Sequence, residues 1–356
     1  MKKVILYIDS MSRGGAQRVI KNIAEYLSNK CEVILVNDII FDAESEYTID
    51  SSIKRIDLNL IAGGLVGNFK RMRKLRAIIR REKPDVVLSF LGPCNIRMLL
   101  ATISFKVKKY VSVRNDPHYE YGRGIRKFLF GQIFKLATGC VFQTKDARAY
   151  FPEKVRKKST IIWNPVDNKF YENDWRCKRN EIAVVGRLQL QKNPILAVTA
   201  FALIAHKYPD MKLVFYGDGE LKDEILNKAK EYGLEDRTTI FGNIGNIEKF
   251  ISSAKVFLMT SDFEGLPNAL MEAMAIGIPC VATDCPCGGP RDLTEGFNEM
   301  LLVPCNDANA IAQRLDEVLS NEALQTAMSQ EEKNRAKEFH ADRVMKQWEQ
   351  FMQIED

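Results

Sequence analysis

Short, nearly uninterrupted apolar runs alternate with segments of helical periodicity along the whole chain. Helical spacing is found in residues 16–27 and 125–135, for example. Apolar strands separated by helices are typical of a parallel sheet that is buried on both faces. The first half is therefore predicted to form an α/β domain. Its predicted strands begin at Val4, Glu32, Asp85, Tyr110 and Cys140.

The second half repeats the same pattern. Its predicted strands begin at Ile182, Lys212, Thr238, Lys255, Pro279 and Met300. Between the halves, residues 165–180 contain Asn-Pro and many polar side chains without periodicity, which predicts a linker. We therefore predict two doubly wound α/β domains, residues 1–165 and 166–335. Such domains bind ligands at the carboxyl ends of their strands.

The chain of 356 residues has no apolar run near the ~18 residues that a membrane span needs. Its first apolar run, Val4–Ile8, is also too short for a signal peptide. The eight cysteines include no C-x-x-C pair, which favours reduced thiols in a cytoplasm. The group Cys280, Cys285 and Cys287 lacks the spacing of a zinc site.

Charge is distributed unevenly. Residues 1–168 carry 31 basic and 16 acidic side chains, whereas the rest carries 21 and 30. Much of the excess lies in Lys70–Lys83, where a helix would place Leu75, Ile78 and Ile79 on or near one face. This segment is either a solvated helix that covers a sheet or a patch for anionic lipid or a phosphorylated substrate. It has no interleaved aromatic residues, so nucleic acid is not a predicted partner.

Two glutamates frame the sequence E-G-L-P-N-A-L-M-E, from Glu264 to Glu272. The stretch follows a predicted strand, and Pro267 suits the first turn of the next helix. Amides at a helix start favour phosphate binding. The amides concerned are those of Asn268, Ala269 and Leu270. Glu264 could accept a hydrogen bond from a sugar hydroxyl, and Glu272 could accept hydrogen bonds from a ribose diol. The alternative is that Glu264 is a surface residue of the loop and that Glu272 complements the helix dipole.

Two further loops suit phosphate groups. The first is V-V-G-R-L-Q-L-Q-K-N-P, which contains Gly186, Arg187 and Lys192. Its two cations, Arg187 and Lys192, could stabilise a diphosphate leaving group. The second is S-R-G-G-A-Q-R, which contains Gly14 and Gly15. Without side chains at these two positions, the backbone of the loop can approach a phosphate closely. The second of these loops is not G-x-G-x-x-G, and no acidic residue follows it at the dinucleotide position, which argues against a nicotinamide enzyme.

These motifs together resemble the retaining GT-B glycosyltransferases of family 4. The resemblance covers nearly the whole chain, including N-P-V-D at Asn164–Asp167, Y-G-D-G-E at Tyr216–Glu220, and E-x7-E followed by G-I-P-C-V-A-T-D. Within the family, the chain looks most like the enzymes that assemble polyprenyl-diphosphate-linked oligosaccharides, including bacterial N-acetylgalactosaminyl transferases. The resemblance implies two Rossmann-like domains that face an interdomain cleft. It also implies a C-terminal helix, about residues 336–356, that packs back on the first domain; packing on its own domain is the alternative.

The resemblance also implies roles for the residues that match its motifs. Glu264 would hold donor-sugar hydroxyls, Glu272 the ribose, and Arg187 with Lys192 the diphosphate. Amides of Gly15 and of residues 268–270 would complete the cradle. The loop that contains Asn243 and Ile244 would face the uracil base, and either Arg114 or His118 would contact the donor sugar.

The implied activity is transfer of a hexose or N-acetylhexosamine from a UDP-sugar to a lipid-linked saccharide. The chain contains no D-x-D motif and its three histidines are far apart, so we expect neither a metal nor another cofactor. The expected location is the cytoplasmic face of an inner membrane, held peripherally through the basic N-terminal domain. The alternatives are a nucleotide-sugar 2-epimerase and a non-catalytic protein that binds anionic lipid or nucleic acid.

Overall fold

A computed structural model describes residues 1–41, 45–60, 64–297 and 302–354. The chain divides into two compact units, which we call unit 1 and unit 2. Unit 1 comprises Met1–Pro165 and Asp342–Asp356, and unit 2 comprises Val166–Ala341. Each unit contains one parallel sheet, so the predicted fold class of two doubly wound α/β domains is confirmed.

Unit 1 has a seven-stranded sheet in the order β3-β2-β1-β4-β5-β6-β7. The strands are β1 (Lys3–Ile8), β2 (Glu32–Asn37), β3 (Lys54–Asp57), β4 (Val86–Phe90), β5 (Lys108–Ser112), β6 (Gly139–Phe142) and β7 (Ser159–Ile161). All five predicted strands are present. The two that the apolar pattern missed, β3 and β7, are short and partly exposed strands at the edges of the sheet. An edge strand is covered on fewer sides, so it needs no apolar run.

The helices of unit 1 connect these strands in both directions from the centre of the sheet. They are α1 (Gly15–Ser28), α2 (Gly64–Glu82), α3 (Gly92–Ala101), α4 (Pro117–Tyr121), α5 (Gly124–Phe134), α6 (Lys145–Ala149), α7 (Glu153–Arg156) and, near the C-terminus, α16 (Ala341–Met352). The chain moves from β1 to β2 in one direction and from β3 through β4 and β5 to β6 in the other. Because parallel crossovers are right-handed, α1 covers one face of the sheet and α2, α3 and α5 cover the other.

Unit 2 has a six-stranded sheet in the order β10-β9-β8-β11-β12-β13. The strands are β8 (Glu181–Val185), β9 (Lys212–Tyr216), β10 (Thr238–Ile240), β11 (Val256–Met259), β12 (Cys280–Thr283) and β13 (Leu302–Val303). The helices are α8 (Asn168–Tyr171), α9 (Pro194–Ile204), α10 (Lys222–Glu231), α11 (Ile247–Ile251), α12 (Asn268–Ile276), α13 (Gly289–Leu293), α14 (Ala308–Ser320) and α15 (Glu322–Ala336). All six predicted strands are present, although Met300 and Leu301, at the predicted start of the last, lie outside the described residues.

The predicted linker, residues 165–180, differs from the structure. Residues from Val166 onwards belong to unit 2, and Phe170 on α8 is buried there. Trp175 donates its backbone N–H to the carbonyl of Ile276 and its indole N–H to that of Ala254 at 2.8 Å. The segment looked like a linker because aromatic anchors separated by polar residues give no periodicity.

The C-terminal segment is also interrupted where a single helix was expected. After α15, a 3-10 turn spans Lys337–Phe339, and His340 is extended before α16 begins. Phe339 is buried in unit 2 and its carbonyl accepts from the Val166 N–H, whereas α16 belongs to unit 1 from Asp342 onwards. The chain therefore passes from unit 2 to unit 1 between Ala341 and Asp342. No described helix is both long and apolar enough to cross a bilayer.

The helix α16 contacts unit 1 through an apolar and a polar side. Trp348 is buried and stacks on Phe90 with ring centroids 5.6 Å apart. Glu349 accepts from the Tyr26 hydroxyl at 2.7 Å and pairs with Lys30 at 2.6 Å. These contacts join the end of the chain to the first helix and to the centre of the unit 1 sheet.

We predict that Trp348→Ala lowers the free energy of unfolding by about 3–5 kcal/mol, because it leaves a cavity beside Phe90. Urea denaturation of the full chain measures the change. Gln350→Ala, at an exposed position of the same helix, is the matched control and should change it by less than about 0.5 kcal/mol. Equal, small effects of both substitutions would contradict the packing described for α16.

Candidate active site

The carboxyl edge of the unit 2 sheet brings several predicted residues together. Gly186 follows β8 directly, and Glu264 lies in the loop after β11, the next strand of the sheet. Lys192 ends the short 3-10 turn Leu190–Lys192 that precedes α9. The loops after three neighbouring strands, β8, β11 and β12, therefore meet at this edge.

Lys192 and Glu264 form the central contact of the edge. The Lys192 ammonium lies 2.5 Å from Glu264 Oε1, and the Ser261 hydroxyl donates to the same oxygen at 2.9 Å. Glu264 is buried, whereas about a quarter of the Lys192 side chain remains exposed. Within the described part of the chain Oε2 has no hydrogen-bond partner. One oxygen of the carboxylate is thus held by the protein and the other can accept from a ligand.

The glycines of Y-G-D-G-E allow the loop after β8 to lie against the end of β9. A Cβ on Gly217 would lie 1.9 Å from the Gly186 carbonyl oxygen, and one on Gly219 would lie 2.3 Å from that of Leu188. Since no side chain can occupy these spaces, the two backbones are in direct contact. The approach fixes the loop that carries Arg187 and Lys192.

The loop that carries Glu264 is held by the segment after β12. The backbone N–H of Glu264 donates to the Pro286 carbonyl at 2.6 Å, and the backbone carbonyl of Glu264 accepts from the Cys287 N–H at 2.8 Å. A Cβ on Gly289 would lie 2.0 Å from the Gly265 carbonyl oxygen. Cys285 and Cys287 are both buried, and burial raises the pKa of the Cys285 thiol far above its usual value. This cysteine segment therefore supports the loop that carries Glu264.

A second set of polar contacts joins the Lys192 loop to the Glu264 loop. Asn193 has left-handed backbone angles and caps α9 through its side-chain oxygen. Its amide nitrogen donates to Asp262 Oδ1 at 2.9 Å, and Gln191 donates to the Phe263 carbonyl at 2.9 Å. The two loops therefore form one rigid wall. Ser261, Asp262 and Gln191 were missed from the sequence, although S-D-F-E-G places Ser261 three residues before Glu264.

The helix α12 begins at Asn268, one residue later than predicted, and Pro267 is its N-cap. The first bond of the helix runs from the Met271 N–H to the Pro267 carbonyl. The amides of Ala269 and Leu270 therefore point out of the helix N-terminus, where the dipole favours an anion. Glu272 is buried in the following turn.

The remaining predicted residues of unit 2 are exposed or partly exposed. The Arg187 guanidinium has no ion pair among the described residues. Asn243 is exposed and Ile244 half-buried in the loop between β10 and α11. Just before them, the half-exposed Phe241 ring stacks on Tyr216 with centroids 5.5 Å apart and planes 7° apart. The loop thus begins on a flat aromatic surface.

Unit 1 holds the other predicted residues at the carboxyl edge of its own sheet. Gly14 is the N-cap of α1 with extended angles that any residue adopts, and Gly15 is the first helical residue. Arg114 is buried: its guanidinium donates to Asn164 and lies 5.2 Å from the centroid of the Phe90 ring. Burial lowers the pKa of Arg114 to about 9.

His118 differs from Arg114 in its surroundings. Its side chain is 44% exposed, and Nδ1 lies 3.0 Å from Asp116 Oδ1. The imidazole also packs edge-on against Tyr150. The other nitrogen, Nε2, has no partner in the described ranges. Two residues further on, Glu120 was missed from the sequence; burial raises its pKa to about 7, an effect that the Gly92 amide opposes.

Two family models match the chain, one in each half. The model of glycosyl transferases group 1 matches residues 166–335, and that of glycosyltransferase family 4 matches residues 13–170. The chain belongs to glycosyltransferase family 4. The predicted family and enzyme class are therefore confirmed.

Two curated relatives of this glycosyltransferase align with it over almost their whole length. An undecaprenol-diphosphate-dependent α-1,4-N-acetyl-D-galactosaminyltransferase of Campylobacter jejuni is 27% identical over 98% of this chain and 97% of the relative. An amylovoran biosynthesis glycosyltransferase of Erwinia amylovora is also 27% identical, over 98% and 99%. One name states the transfer of N-acetylgalactosamine and the other the biosynthesis of amylovoran.

Solved structures show the same fold. An Anabaena protein crystallised with UDP superposes with a TM-score of 0.81 at 14% identity, over 99% of this chain and 100% of that one. A lipopolysaccharide outer core galactosyltransferase gives 0.78 at 19% identity, over 99% of both chains. The glycosyltransferase described here therefore has the predicted GT-B fold.

The contact between Gly289 and Gly265 leads to a prediction. Gly289→Ala should lower the free energy of unfolding by about 1–3 kcal/mol, because the new methyl would displace the Gly265 carbonyl and the Glu264 loop with it. Chemical denaturation measures the effect. Gly245→Ala is the matched control, since no described atom lies within 4 Å of its added Cβ. A Gly289 variant as stable as the Gly245 variant would contradict the close approach.

Proposed function

We propose that this glycosyltransferase moves a hexose or N-acetylhexosamine from a UDP-sugar to a polyprenyl-diphosphate-linked saccharide, with retention of anomeric configuration. The observation that carries the proposal is the Lys192–Glu264 pair beside the N-terminus of α12. The pair combines a fixed cation with a hydroxyl acceptor, and the amides of Ala269 and Leu270 add donors. A sugar diphosphate needs all three.

The diphosphate binds where positive charge is concentrated. Lys192 and the exposed Arg187 flank the loop after β8, and the N-terminus of α12 contributes its partial positive charge. As the bond from the sugar to the phosphate breaks, negative charge grows on the departing UDP. Fixed cations and amides stabilise that charge most in the transition state. In this proposal they take the place of a divalent metal, in keeping with a sequence that has no D-x-D.

The two glutamates hold hydroxyls on either side of the diphosphate. Glu264 accepts hydrogen bonds from donor-sugar hydroxyls. Before the donor binds, its Oε1 is paired with Lys192 and Ser261, and the diphosphate then replaces the carboxylate as the partner of Lys192. Glu272 accepts from the ribose diol. The uracil base lies at the loop of Asn243 and Ile244, next to the exposed Phe241 ring.

Retention follows from attack on the face that UDP leaves. The acceptor oxygen bonds to the anomeric carbon as the bond to the phosphate oxygen breaks, and the hydroxyl proton passes to the departing phosphate. Glu264 is not the nucleophile in this scheme, since the attacking oxygen is that of the acceptor hydroxyl.

Unit 1 supplies further contacts to the donor and receives the acceptor. Gly14 and Gly15 lie at the start of α1, where their backbone can approach a phosphate. Of the two residues that could contact the donor sugar, we favour His118, because its imidazole is exposed whereas Arg114 is packed against Phe90. The acceptor is a saccharide on a lipid diphosphate, as in the name of the Campylobacter relative. The enzyme works peripherally at the cytoplasmic face of an inner membrane, and its basic half binds no nucleic acid.

Acceptor-dependent release of UDP from a panel of UDP-sugars tests the proposal. Glu264→Gln should lower kcat/KM about 100-fold or more, because it removes charge at the reacting sugar. Glu272→Gln should chiefly raise KM and change kcat little. The reason is that the ribose contact stabilises the bound donor and the transition state equally.

Glu235→Gln provides the matched control, since Glu235 is exposed and precedes β10 at the opposite edge of the same sheet. It should transfer sugar at the wild-type rate. Wild-type transfer by both the Glu264 and Glu272 variants would overturn the proposal. Release of a UDP-linked 2-epimer without acceptor would instead identify an epimerase.

A further inference from the structure

A cleft of about 840 Å³ lies at the amino edge of the unit 1 sheet. Its walls are formed by residues just before β1, β4, β5 and β6, together with the end of α2 and the residue that follows α16. Gly14, Arg114 and His118 lie at the carboxyl edge of the same sheet. The cleft is therefore separate from the ligand-binding residues predicted for unit 1.

The charged residues of this cleft are mostly basic. Asp85 is the one acid among the described lining residues, and its Oδ2 accepts from the backbone N–H of Lys3 at 2.8 Å. A cleft lined by charges of one sign attracts ligands of the opposite sign. The basic residues that line the cleft are Lys2, Arg80, Lys83, Lys106 and Lys108.

Two of these five cations hold the end of the chain in place. Lys2 donates to the carbonyl of Ile354 at 3.0 Å, and Lys108 donates to the Gln353 side chain at 2.8 Å. Both contacts lie just beyond the last residue of α16. Cations near a helix C-terminus complement the helix dipole, so the end of α16 explains the presence of these two.

The other three cations have no comparable partner. Arg80, Lys83 and Lys106 are exposed, and their side chains form no hydrogen bond or ion pair with the part of the chain that the structure describes. Like charges that line one cleft repel one another. An anion that enters the cleft would relieve this repulsion.

The backbone of Lys83 is unusual for a lysine. Lys83 follows α2 with a φ of 48°, in the left-handed region that glycine adopts most easily. Its backbone N–H donates to the Ile79 carbonyl, which a glycine would do equally well. Arg80 and Arg81 already provide cations in the last turn of α2. The end of this helix therefore does not require the Lys83 side chain, which is available to a ligand.

Part of the cleft wall is apolar. Phe105 and Val107 are half-buried and contribute their remaining surface to the cleft. The Arg76 guanidinium lies 4.7 Å from the centroid of the Phe105 ring, a distance at which a cation and an aromatic ring attract each other. A ligand that fits this cleft therefore combines anionic groups with an apolar or aromatic part.

We propose that this cleft binds a small organic polyphosphate, a molecule of nucleotide size with at least two phosphate groups. The phosphates contact Arg80, Lys83 and Lys106, and the organic part packs against Phe105 and Val107. A guanidinium and two ammonium groups suit phosphate oxygens, and the cleft has the volume of a typical small-molecule site. The proposal does not rest on the proposed function, because it uses no residue of the donor or acceptor site.

The shape of the cleft favours a small ligand over a macromolecule. A nucleic acid presents phosphates along an extended path, and its binding surfaces combine such a path with a series of stacking aromatic rings. Here the three free cations line one concave volume, and Phe105 is the one aromatic residue of the described lining. A compact polyphosphate can contact all three cations at once.

Calorimetric titration with ATP tests the proposal. The full chain is used with the substitution Lys192→Met, which removes a cation from the proposed donor site and so favours the measurement of binding in unit 1. This parent should bind ATP. Arg80→Gln/Lys106→Gln in the same background should weaken binding about tenfold or more, because it removes two charged contacts to phosphate. AMP should bind the parent about tenfold or more weakly than ATP does.

Lys70→Gln/Arg81→Gln is the matched control. Both residues are exposed on α2 and neither lines the cleft, so the double variant loses the same charge without touching the site. It should bind ATP like the parent. Equal weakening in the two double variants would show general attraction to a basic domain and would overturn the proposal. Absence of ATP binding by the parent, or equal affinity for AMP and ATP, would overturn it as well.

Lys83→Gly separates a binding role from a structural one. Glycine suits the left-handed backbone, so the melting temperature should not fall, whereas ATP binding should weaken several-fold through the loss of one cation. A lower melting temperature with unchanged ATP affinity would contradict the role assigned to this lysine. Loss of sugar transfer with intact ATP binding in unit 1 would count against the proposed function alone.

Discussion

The partly buried ion pair between Lys192 and Glu264 is the contact around which the unit 2 site is built. It joins the loop after β8 to the loop after β11 at 2.5 Å, and Ser261 supports it from the same side. A carboxylate in this buried position needs a partner, because an unpaired buried charge is costly. The Lys192 ammonium provides that partner in the absence of ligand. In our account a donor diphosphate replaces Glu264 as the partner of Lys192, and Glu264 turns to the sugar.

Close backbone packing keeps this pair in place. Gly217 and Gly219 bring the end of β9 against the Gly186 loop, and Gly289 brings the segment after β12 against Gly265. Both loops are therefore held from behind by backbone, without flexible side chains between them. A site held in this way is already ordered, so it loses little conformational freedom when a charged ligand binds. Such preorganisation favours the stabilisation of a charge that develops during reaction.

Much of the fold was predictable because buried parallel strands are apolar along their whole length. The edge strands β3 and β7 were not, since an edge needs little apolar surface. The break at His340 also left no signal, because helical periodicity continues on both sides of it. In the site, Glu264, Lys192 and the start of α12 were predictable from local sequence. The contact of Asn193 with Asp262 and the burial of Arg114 beside Asn164 were not, because each joins residues about 50 to 70 positions apart.

Calorimetric titration of the full chain with UDP tests the central claim most directly. If a diphosphate takes over Lys192 from Glu264, Lys192→Met should weaken UDP binding about tenfold or more, because it removes a charged hydrogen bond. Glu264→Gln should bind UDP at least as tightly as the wild type, since its Lys192 is released from competition. Weakening of similar size in both variants, or no weakening in Lys192→Met, would contradict the account.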